Sequence, residues 1–370
     1  MNRIKYIGFY NHNSSKINRT CALSAVNKMD YVISSLNEIG YGVDIISPSW
    51  LISTEKTFFK RGETISLANN NYIYSPSFNT KYKILNYLTI VLSWLWLFFY
   101  LLVKIRKNEK IIVYHSLWLS IPLYYVKKLK NLTIILEIEE IYSEIWTFPK
   151  LLTMFEDRII NNSEYYIIAS DILKDKLSEK KEKIVLYGDY RVNKRIQNYS
   201  CIDKKYINLV YAGGIETVRK GAFKSIDILE YLPNNYYLNI IGFGEDEDIK
   251  CLKECIELSP FKNRIKFHGE KKGEDFLTFL NTCDVGLNPQ VTGDYMDTAF
   301  PSKILTYLGA GLNIISSKVD SIYCSKLKNE IFFYENIKEV ENFELVKIEE
   351  SLIRNLHKQF VHELLELLQK

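Results

Sequence analysis

The stretch VYAGGIETVRKG, Val210–Gly221, has the pattern of a strand that ends in two glycines and leads through a loop into a helix. Small residues at such a turn let backbone amides approach an anion, and the first turn of a helix adds positive potential. Arg219 and Lys220 can each donate charge-assisted hydrogen bonds to a diphosphate, worth about 1.5–3 kcal/mol. The same pattern also fits a tight turn with two solvated cations, and this segment alone does not separate the two interpretations.

Short apolar runs alternate with helical stretches on both sides of this segment, which indicates α/β units around parallel sheets. The alternation begins at Lys5–Tyr10, is interrupted by the polar stretch Asp189–Tyr206 and restarts at Ile207–Tyr211. We therefore expect two open parallel sheets, with ligands in a cleft at the carboxyl ends of their strands. The expected domains cover residues 1–200 and 201–345, followed by a terminal helix over 346–370 that can pack back on the first domain.

The composition excludes several classes of protein. The chain has 370 residues, of which 47% are hydrophobic and 25% charged, so disordered, collagen-like and long coiled-coil chains are ruled out. A formal net charge of +4 without basic clusters argues against a nucleic-acid partner. The six cysteines include no CxxC pair, and no metal site is predicted.

A second glycine segment, NIIGFGE at Asn239–Glu245, ends another strand. Gly242 and Phe243 fall where a nucleobase can rest on open backbone, although a plain turn is the simpler interpretation of this segment alone. Neither glycine segment is a Walker A loop or a GxGxxG fingerprint, which disfavours NAD as a ligand. An oxidoreductase of the Rossmann type is disfavoured further because the first strand leads into Asn11–Ser14 and not into glycines.

The third segment is DYMDTAFPSKILTYLGAGLNIIS, Asp294–Ser316. Pro301 stands where a helix can begin, and Lys303 lies in its first turn. We expect Lys303 to face the same cleft as the basic pair at 219–220, as a second candidate ligand for phosphate.

Together the three segments resemble the nucleotide-binding half of GT-B glycosyltransferases similar to family 4. They are most similar to the branch that builds bacterial capsular and other surface polysaccharides and carries an FPSK motif. The resemblance is specific over Leu209–Ser317 and looser elsewhere. It implies the GT-B form of the α/β class, with two Rossmann-like domains whose parallel sheets face a cleft. It also implies a nucleotide-sugar donor, UDP-linked by preference, and no cofactor or metal.

The resemblance assigns roles in the donor half. Arg219 and Lys220 fall where the family holds the donor diphosphate, with one residue inserted in the loop, and Gly214 stands where many members have arginine. Two glutamates separated by seven residues are common in the family, and Thr298 and Thr306 occupy their places here. The implied donor-binding residues are Gly213, Gly214, Gly242, Phe243, Asp297 (next to Thr298 and a partial substitute), Thr298, Ala299, Phe300, Pro301, Ser302, Lys303 and Thr306.

The first domain has its own candidates. IIVYHS ends in His115, where the family has a histidine that faces the donor sugar, although a lone histidine at a strand end is usually structural. In LEIEEIY, alternation places Glu137 and Glu139 on one face of a strand, with Glu140 at the mouth of the cleft. Carboxylates there can orient or deprotonate an acceptor hydroxyl. The alternative interpretation is a solvated acidic turn. The expected catalytic set is His115, Glu139, Glu140, Arg219 and Lys220, and the acceptor side is Asn11, His12 and Asn13.

The segment Ile84–Val103 has twenty residues without a charge and basic residues at both ends. It is long enough to span a bilayer, but a weakly polar stripe and the strands on either side argue against spanning. We expect a helix buried in the first domain, with one basic-edged face at the cytoplasmic side of the cell membrane.

The resulting hypothesis is a hexosyltransferase of the cytoplasm, held peripherally at the membrane. It transfers a sugar to a lipid-linked or saccharide acceptor in polysaccharide or glycolipid synthesis. The resemblance implies retention of configuration, while Glu139 or Glu140 as a base would give inversion. A protein that kept the fold and lost turnover is the alternative, motivated by Thr298 and Thr306.

Overall fold

The computed structural model describes residues 2–12, 15, 17–52, 58–191, 205–218, 220–290, 300–348 and 351–370. The chain forms two compact units. Unit 1 comprises Met1–Ala169, Leu173–Gly188 and Gln359–Lys370, and unit 2 comprises Ser170–Ile172 and Asp189–Lys358. Most of the polar stretch that interrupts the alternation, residues 192–204, lies outside the described residues.

Unit 1 is built on strands and helices that alternate for most of its length. The strands are β1 Asn2–Ile7, β2 Tyr41–Ser47, β3 Phe58–Lys60, β4 Glu63–Leu67, β5 Asn70–Tyr74, β6 Ser77–Asn79, β7 Lys110–Tyr114, β8 Thr133–Ile138, β9 Tyr165–Ile168 and β10 Glu182–Val185. The helices are α1 Leu23–Glu38, α2 Lys83–Lys104, α3 Ser120–Lys130, α4 Tyr142–Ile145, α5 Lys150–Asn162 and α6 Leu173–Lys176.

The main sheet of unit 1 has the order β10-β9-β8-β7-β1-β2-β5-β4, and its strands pair in parallel except β4 with β5. Short strands β3 and β6 form a separate antiparallel pair. The sequence showed no strands between β2 and α2, because strands of three to five residues are too short to display a clear period. Helices α2, α3 and α5 share one core with the sheet, to which they contribute Leu97, Leu101, Leu123, Val126 and Ile159.

Unit 2 contains a second sheet. Its elements are β11 Ile207–Gly214, α7 Gly221–Asp227, β12 Tyr236–Phe243, α8 Asp246–Leu258, β13 Ile265–Phe267, α9 Gly273–Leu280, β14 Val285–Asn288, α10 Lys303–Gly309, β15 Asn313–Ser317, α11 Asp320–Tyr323 and β16 Phe332–Tyr334. The strand order is β13-β12-β11-β14-β15-β16, with every pairing parallel. The order reverses between β11 and β14, which is the point where ligands bind in open α/β sheets. The expectation of Rossmann-like parallel sheets is confirmed.

The terminal helix, α12 (Ser351–Gln369), belongs to both units, because the division falls at Lys358. Its last part packs within unit 1, where the Phe360 ring lies 5.6 Å from the Tyr31 ring of α1. Lys110 of β7 also donates hydrogen bonds to the carbonyl groups of Leu367 and Leu368.

Helix α2 confirms the predicted helical segment but is far less buried than we expected from the sequence. Only 22% of Leu85–Lys104 is buried, and by length and composition the helix could cross a membrane. The weakly polar stripe faces inward, since Thr89 is 2% exposed and Ser93 1%, while Val103 is 77% exposed. The physical reason is that both hydroxyl groups are satisfied by backbone carbonyl groups, those of Phe78 and Ile90.

Candidate functional site

Helix α10 fixes two of its side chains against the end of β11. The Lys303 ammonium lies 4.3 Å from the centre of the Tyr211 ring, and the Tyr307 hydroxyl accepts a 2.9 Å hydrogen bond from the Ala212 N–H. Lys303 and Tyr307 are four residues apart and therefore lie on one face of the helix. A side chain at Gly213 would meet this ammonium, because its Cβ would stand 3.3 Å from Lys303 Nζ. The glycine thus leaves room for a cation beside open backbone.

Burial lowers the pKa of the Lys303 ammonium from 10.5 to about 8, and among the described residues no charged neighbour contributes to this shift. Within the described part of the chain, no carboxylate forms an ion pair with this lysine. A half-buried cation that faces an aromatic ring gains when an anion approaches it. Lys303 can therefore hold a phosphate group at the point where the strand order reverses.

The remaining cations expected at the donor are described only in part. Lys220 is exposed and has a left-handed backbone conformation, with φ of 54°. Arg219 lies outside the described residues, and so do Asp297, Thr298 and Ala299.

Packing and hydrogen bonds within the protein account for several of the other candidate donor residues. A Cβ at Gly242 would stand 1.9 Å from the Gly213 carbonyl oxygen, so close packing of β12 on β11 explains this glycine without a ligand. The Gly214 carbonyl accepts a hydrogen bond from the Tyr211 hydroxyl at 3.0 Å. Phe243 is 60% exposed, as a side chain available to a base would be, whereas Phe300 is buried in the core.

The start of α10 has mixed exposure. Ser302 is exposed and Pro301 half-buried. The Thr306 hydroxyl donates a 3.3 Å hydrogen bond to the Ser302 carbonyl, within its own helix. Thr306 is therefore already engaged with backbone.

Unit 1 holds a cluster of buried acids and tyrosines where β8 ends. The Tyr6 hydroxyl of β1 donates a hydrogen bond to Glu137, which is only 2% exposed. Glu139 forms an ion pair with Lys28 of α1 at 3.0 Å, and Tyr114 of β7 also donates to it. The Lys28 ammonium lowers the pKa of Glu137 and forms the ion pair with Glu139, which agrees with the alternation that places these two carboxylates on one face.

Burial is the main reason that the Glu137 carboxyl is perturbed. It raises the pKa of Glu137 from 4.5 to about 7, and the Tyr6 hydrogen bond and Lys28 only partly oppose it. The second carboxylate oxygen of Glu137 is buried and makes no hydrogen bond to the described residues. This group can therefore take up or release a proton near neutral pH.

His115 lies on the opposite face of the sheet, in a buried contact with a carboxylate. Its Nε2 is 3.3 Å from Glu156 of α5, and its Nδ1 is 3.1 Å from the Glu140 carbonyl. A carbonyl only accepts, so the hydrogen bond to the Glu140 carbonyl requires the proton on Nδ1. Burial by itself would raise the pKa of Glu156, but His115 and the Ser143 N–H overcome it and the pKa is lowered. As placed, His115 links the end of β7 to α5; its proposed contact with a donor sugar stays a prediction.

The acceptor-side candidates close the loop after β1. The Asn11 side chain donates to the Ile17 carbonyl at 2.9 Å, which braces this loop. His12 lies with its ring centre 4.7 Å from that of Tyr72, and its backbone N–H donates to the Tyr74 hydroxyl. Asn13 lies outside the described residues.

Several residues of these clusters were not found from the sequence: Tyr6, Lys28, Tyr114, Glu156 and Tyr211. One signal was present for Lys28, a cation on the mostly apolar buried face of α1. The tyrosines gave none, because a tyrosine in a strand is ordinary core material.

No family model matches the chain, and no curated protein matches it. Solved structures do match along the whole length. Anabaena Alr3699/HepE in complex with UDP and glucose has a TM-score of 0.64 at 12% identity, with 100% of each chain covered.

Two further structures show the same likeness. Sucrose-phosphate synthase from Thermosynechococcus elongatus has a TM-score of 0.60 at 13% identity, with 98% of this chain and 94% of that chain covered. The α,α-trehalose 6-phosphate synthase from Burkholderia multivorans has a TM-score of 0.63 at 9% identity, with 98% and 92% covered. The chain has the GT-B fold.

Two cavities of this GT-B chain lie away from Lys303. One, of about 300 Å³, is in unit 1 between the start of α2 and the residues around Trp50 and Phe78. The other, of about 600 Å³, is in unit 2 at the carboxyl ends of β14, β15 and β16. Neither is lined by the cation that we assign to phosphate, so the donor assignment depends on Lys303 and its surroundings.

Proposed function

We propose that the chain is a glycosyltransferase that moves a sugar from a nucleotide-sugar donor, preferably UDP-linked, to an acceptor hydroxyl. The observation that carries this proposal is the half-buried Lys303 ammonium beside Gly213, at the strand-order reversal of a GT-B fold. The comparison with a structure that holds UDP and glucose favours a uridine nucleotide as the donor carrier.

The chemistry assigned to unit 2 is stabilisation of the departing diphosphate. Charge develops on the diphosphate as its bond to the sugar breaks, and cations already in place stabilise it most. Lys303 serves this role, with Arg219 and Lys220 as further ligands, and the reaction needs no metal ion or cofactor.

Retention of configuration is the stereochemical outcome we propose. An inverting reaction needs a base that is available to the acceptor hydroxyl. Glu139 is already engaged by Lys28 and Tyr114, which suits a residue that orients the acceptor better than one that removes its proton. Glu140 would be the base if the reaction inverts. His115 is proposed to act near the donor sugar through its place at the end of β7.

The acceptor we propose is a lipid-linked or saccharide hydroxyl in the synthesis of surface polysaccharide or glycolipid. The enzyme would be cytoplasmic and peripherally bound to the inner face of the cell membrane. The exposed apolar surface of α2 supports this location.

A GT-B protein that binds nucleotide without turnover is the second candidate. The threonines at 298 and 306 favour it, because a hydroxyl chelates a ribose diol less well than a carboxylate does. The Thr306 hydroxyl is moreover bonded to its own helix.

A single set of measurements separates the two candidates. Purified protein is screened by thermal shift with UDP-, GDP-, CMP- and ADP-sugars, and release of free sugar is then followed with the donor that stabilises it. A transferase shows both stabilisation and slow donor hydrolysis, whereas the binding protein shows stabilisation alone. Stabilisation by none of the four nucleotides would overturn both candidates.

A further inference from the structure

We propose that α2 is an in-plane membrane anchor whose outer apolar face lies in the surface of an anionic phospholipid bilayer. The proposal specifies how the enzyme proposed above reaches its membrane, and it rests on that function only for the choice of acceptor. Three features of unit 1 carry it: the orientation of the helix, the distribution of charge and the course of the chain on either side.

The orientation of α2 is the reverse of that of an ordinary surface helix. Thr89 and Ser93 face the protein, together with Leu97 and Leu101 of the core. The opposite side is exposed and apolar along the full length of the helix. Its residues are Leu85, Tyr87, Leu88, Val91, Leu92, Leu95, Phe99 and Val103. A continuous exposed apolar face of this size marks a surface that is covered in use.

The charge around this face suits an anionic surface. No acidic residue occurs between Glu63 and Glu109. Exposed basic residues stand at both ends of the helix: Lys81 before it, Lys104 as its last residue, and Arg106 and Lys107 after it. Basic side chains that border an apolar helix face are attracted to anionic headgroups while the face enters the acyl boundary.

The neighbouring helix α3 carries further exposed apolar side chains. Trp94 of α2 contacts Trp118, which precedes α3, with their ring centres 6.0 Å apart. On α3 itself, Tyr125 is 47% exposed and Leu129 63%, next to Lys128. Aromatic rings and lysines mixed in this way are typical of a surface at the level of lipid headgroups.

A second copy of the chain fits this face less well than a bilayer. Both ends of α2 are basic, so two such faces packed together would bring like charges into contact in either the parallel or the antiparallel arrangement. Anionic lipid offers the opposite charge at both ends.

The chain on either side of α2 rules out a spanning arrangement in this fold. Strands β5 and β7, before and after the helix, belong to one sheet. A helix that crossed the bilayer would put them in different compartments and divide the sheet. A helix of 22 residues that lies flat keeps the sheet whole and still presents a face about 33 Å long.

Flotation of the full chain with vesicles tests the proposal. We expect the wild type to float with phosphatidylcholine vesicles that contain phosphatidylglycerol, and much less with phosphatidylcholine alone. The variant Leu92→Glu/Leu95→Glu/Phe99→Glu should stay at the bottom of the gradient, since it places three charges on the outer face. Leu258→Glu, at an even more exposed apolar residue of unit 2, is the control and should float like the wild type.

Neutralisation of the basic end supplies a second arm. Lys104→Gln/Arg106→Gln/Lys107→Gln should weaken partition into anionic vesicles by about a hundredfold, since each basic residue near such a surface contributes about a factor of five. Washing at alkaline pH should release the bound wild type, as it does peripheral proteins.

The outcomes are distinct. A wild type that does not float, or a triple glutamate variant that floats like the wild type, would overturn the proposal, and resistance to the alkaline wash would show a spanning helix. Flotation of the Leu258→Glu control must match the wild type for the loss to be assigned to α2. UDP-dependent thermal shift of the same variants reports on donor binding separately, so failure of the anchor and failure of the proposed transferase are distinguishable.

Discussion

The ammonium of Lys303 lies 4.3 Å from the centre of the Tyr211 ring, so the first residue of α10 contacts the strand that ends in the glycine pair. An aromatic ring holds a cation in place and leaves its charge intact, whereas a carboxylate would neutralise that charge. Burial meanwhile lowers the pKa of this lysine to about 8. The arrangement leaves a positioned cation at the end of β11, available to a phosphate.

Removal of this cation should weaken donor binding. We expect Lys303→Ala to raise the dissociation constant for UDP by about one to two decades, because a charge-assisted contact contributes about 1.5–3 kcal/mol. Titration calorimetry measures it. Unchanged affinity would remove Lys303 from the site.

The pH dependence of UDP binding gives an independent test of Lys303. Its pKa is lowered from 10.5 to about 8, so the free protein loses this charge as the pH rises past 8. Affinity of the wild type for UDP should therefore fall between pH 7 and pH 9. Lys303→Arg keeps its charge over this range and should show a flat profile, whatever its absolute affinity. A wild-type profile as flat as that of the arginine variant would contradict the assignment.

The buried Glu137 carboxyl should make unit 1 less stable as the pH rises. Its pKa is raised from 4.5 to about 7, so the folded state holds a proton that the unfolded state has already released in this range. The free energy of unfolding should decline between pH 4.5 and pH 7 by about 3 kcal/mol from this group.

Replacement by glutamine should remove this decline. Glu137→Gln keeps an acceptor for the Tyr6 hydroxyl and cannot ionise, so at pH 8 it should be more stable than the wild type. Urea unfolding at several pH values measures both chains. A decline of equal size in the variant would show that another group is responsible.

The contact between His115 and Glu156 should stabilise the fold. His115→Ala leaves the buried Glu156 carboxylate with the backbone N–H groups of Tyr142 and Ser143 as partners but without the imidazole, and loss of one partner of a buried polar group costs about 1–3 kcal/mol, more when the group is charged. We expect a large loss in the free energy of unfolding, measured by urea denaturation. His115→Ala/Glu156→Gln should be less destabilised than the sum of the single variants, because the uncompensated charge is gone.

The catalytic prediction for His115 has a different signature. If His115→Ala kept wild-type stability and UDP affinity while turnover fell, the histidine would act on the reaction and the stabilising role would be rejected.

Gly242 should be required for packing, with only an indirect effect on the donor. A Cβ there would stand 1.9 Å from the Gly213 carbonyl oxygen, and β12 would have to move away from β11. We expect Gly242→Ala to lower the midpoint of thermal unfolding by several degrees, since overpacking costs about 1–3 kcal/mol. Gly244→Ala, whose Cβ would stand 2.3 Å from the Ile215 carbonyl oxygen, should behave in the same way.

Phe243, between these glycines, provides the contrasting variant. Its side chain is exposed, so Phe243→Ala should leave the unfolding midpoint unchanged and affect only nucleotide affinity. Stability lost in Phe243→Ala but retained in the glycine variants would reverse this division.

The alternation of apolar runs was enough to predict two parallel sheets and the position of most helices, because hydrophobic periodicity is a local property of the chain. The predicted helix at Asp246–Leu258 has the same bounds in the structure. The short strands between β2 and α2 were not predictable, since their pairing partners are determined by contacts distant in sequence.

For the candidate site, the sequence alone predicted Lys303 and the glycines, since small residues and a cation at a strand–helix turn are visible in one dimension, and their role in donor binding stays a prediction. Only the tertiary structure decided that the Tyr211 ring contacts the Lys303 ammonium, that Glu156 contacts His115 and that α2 turns its apolar face outward. Each of these depends on side chains from separate elements, or on which face of a helix the sheet covers. Burial and local charge depend on side chains that the folded chain brings together from separate elements, so no single segment of sequence determines them.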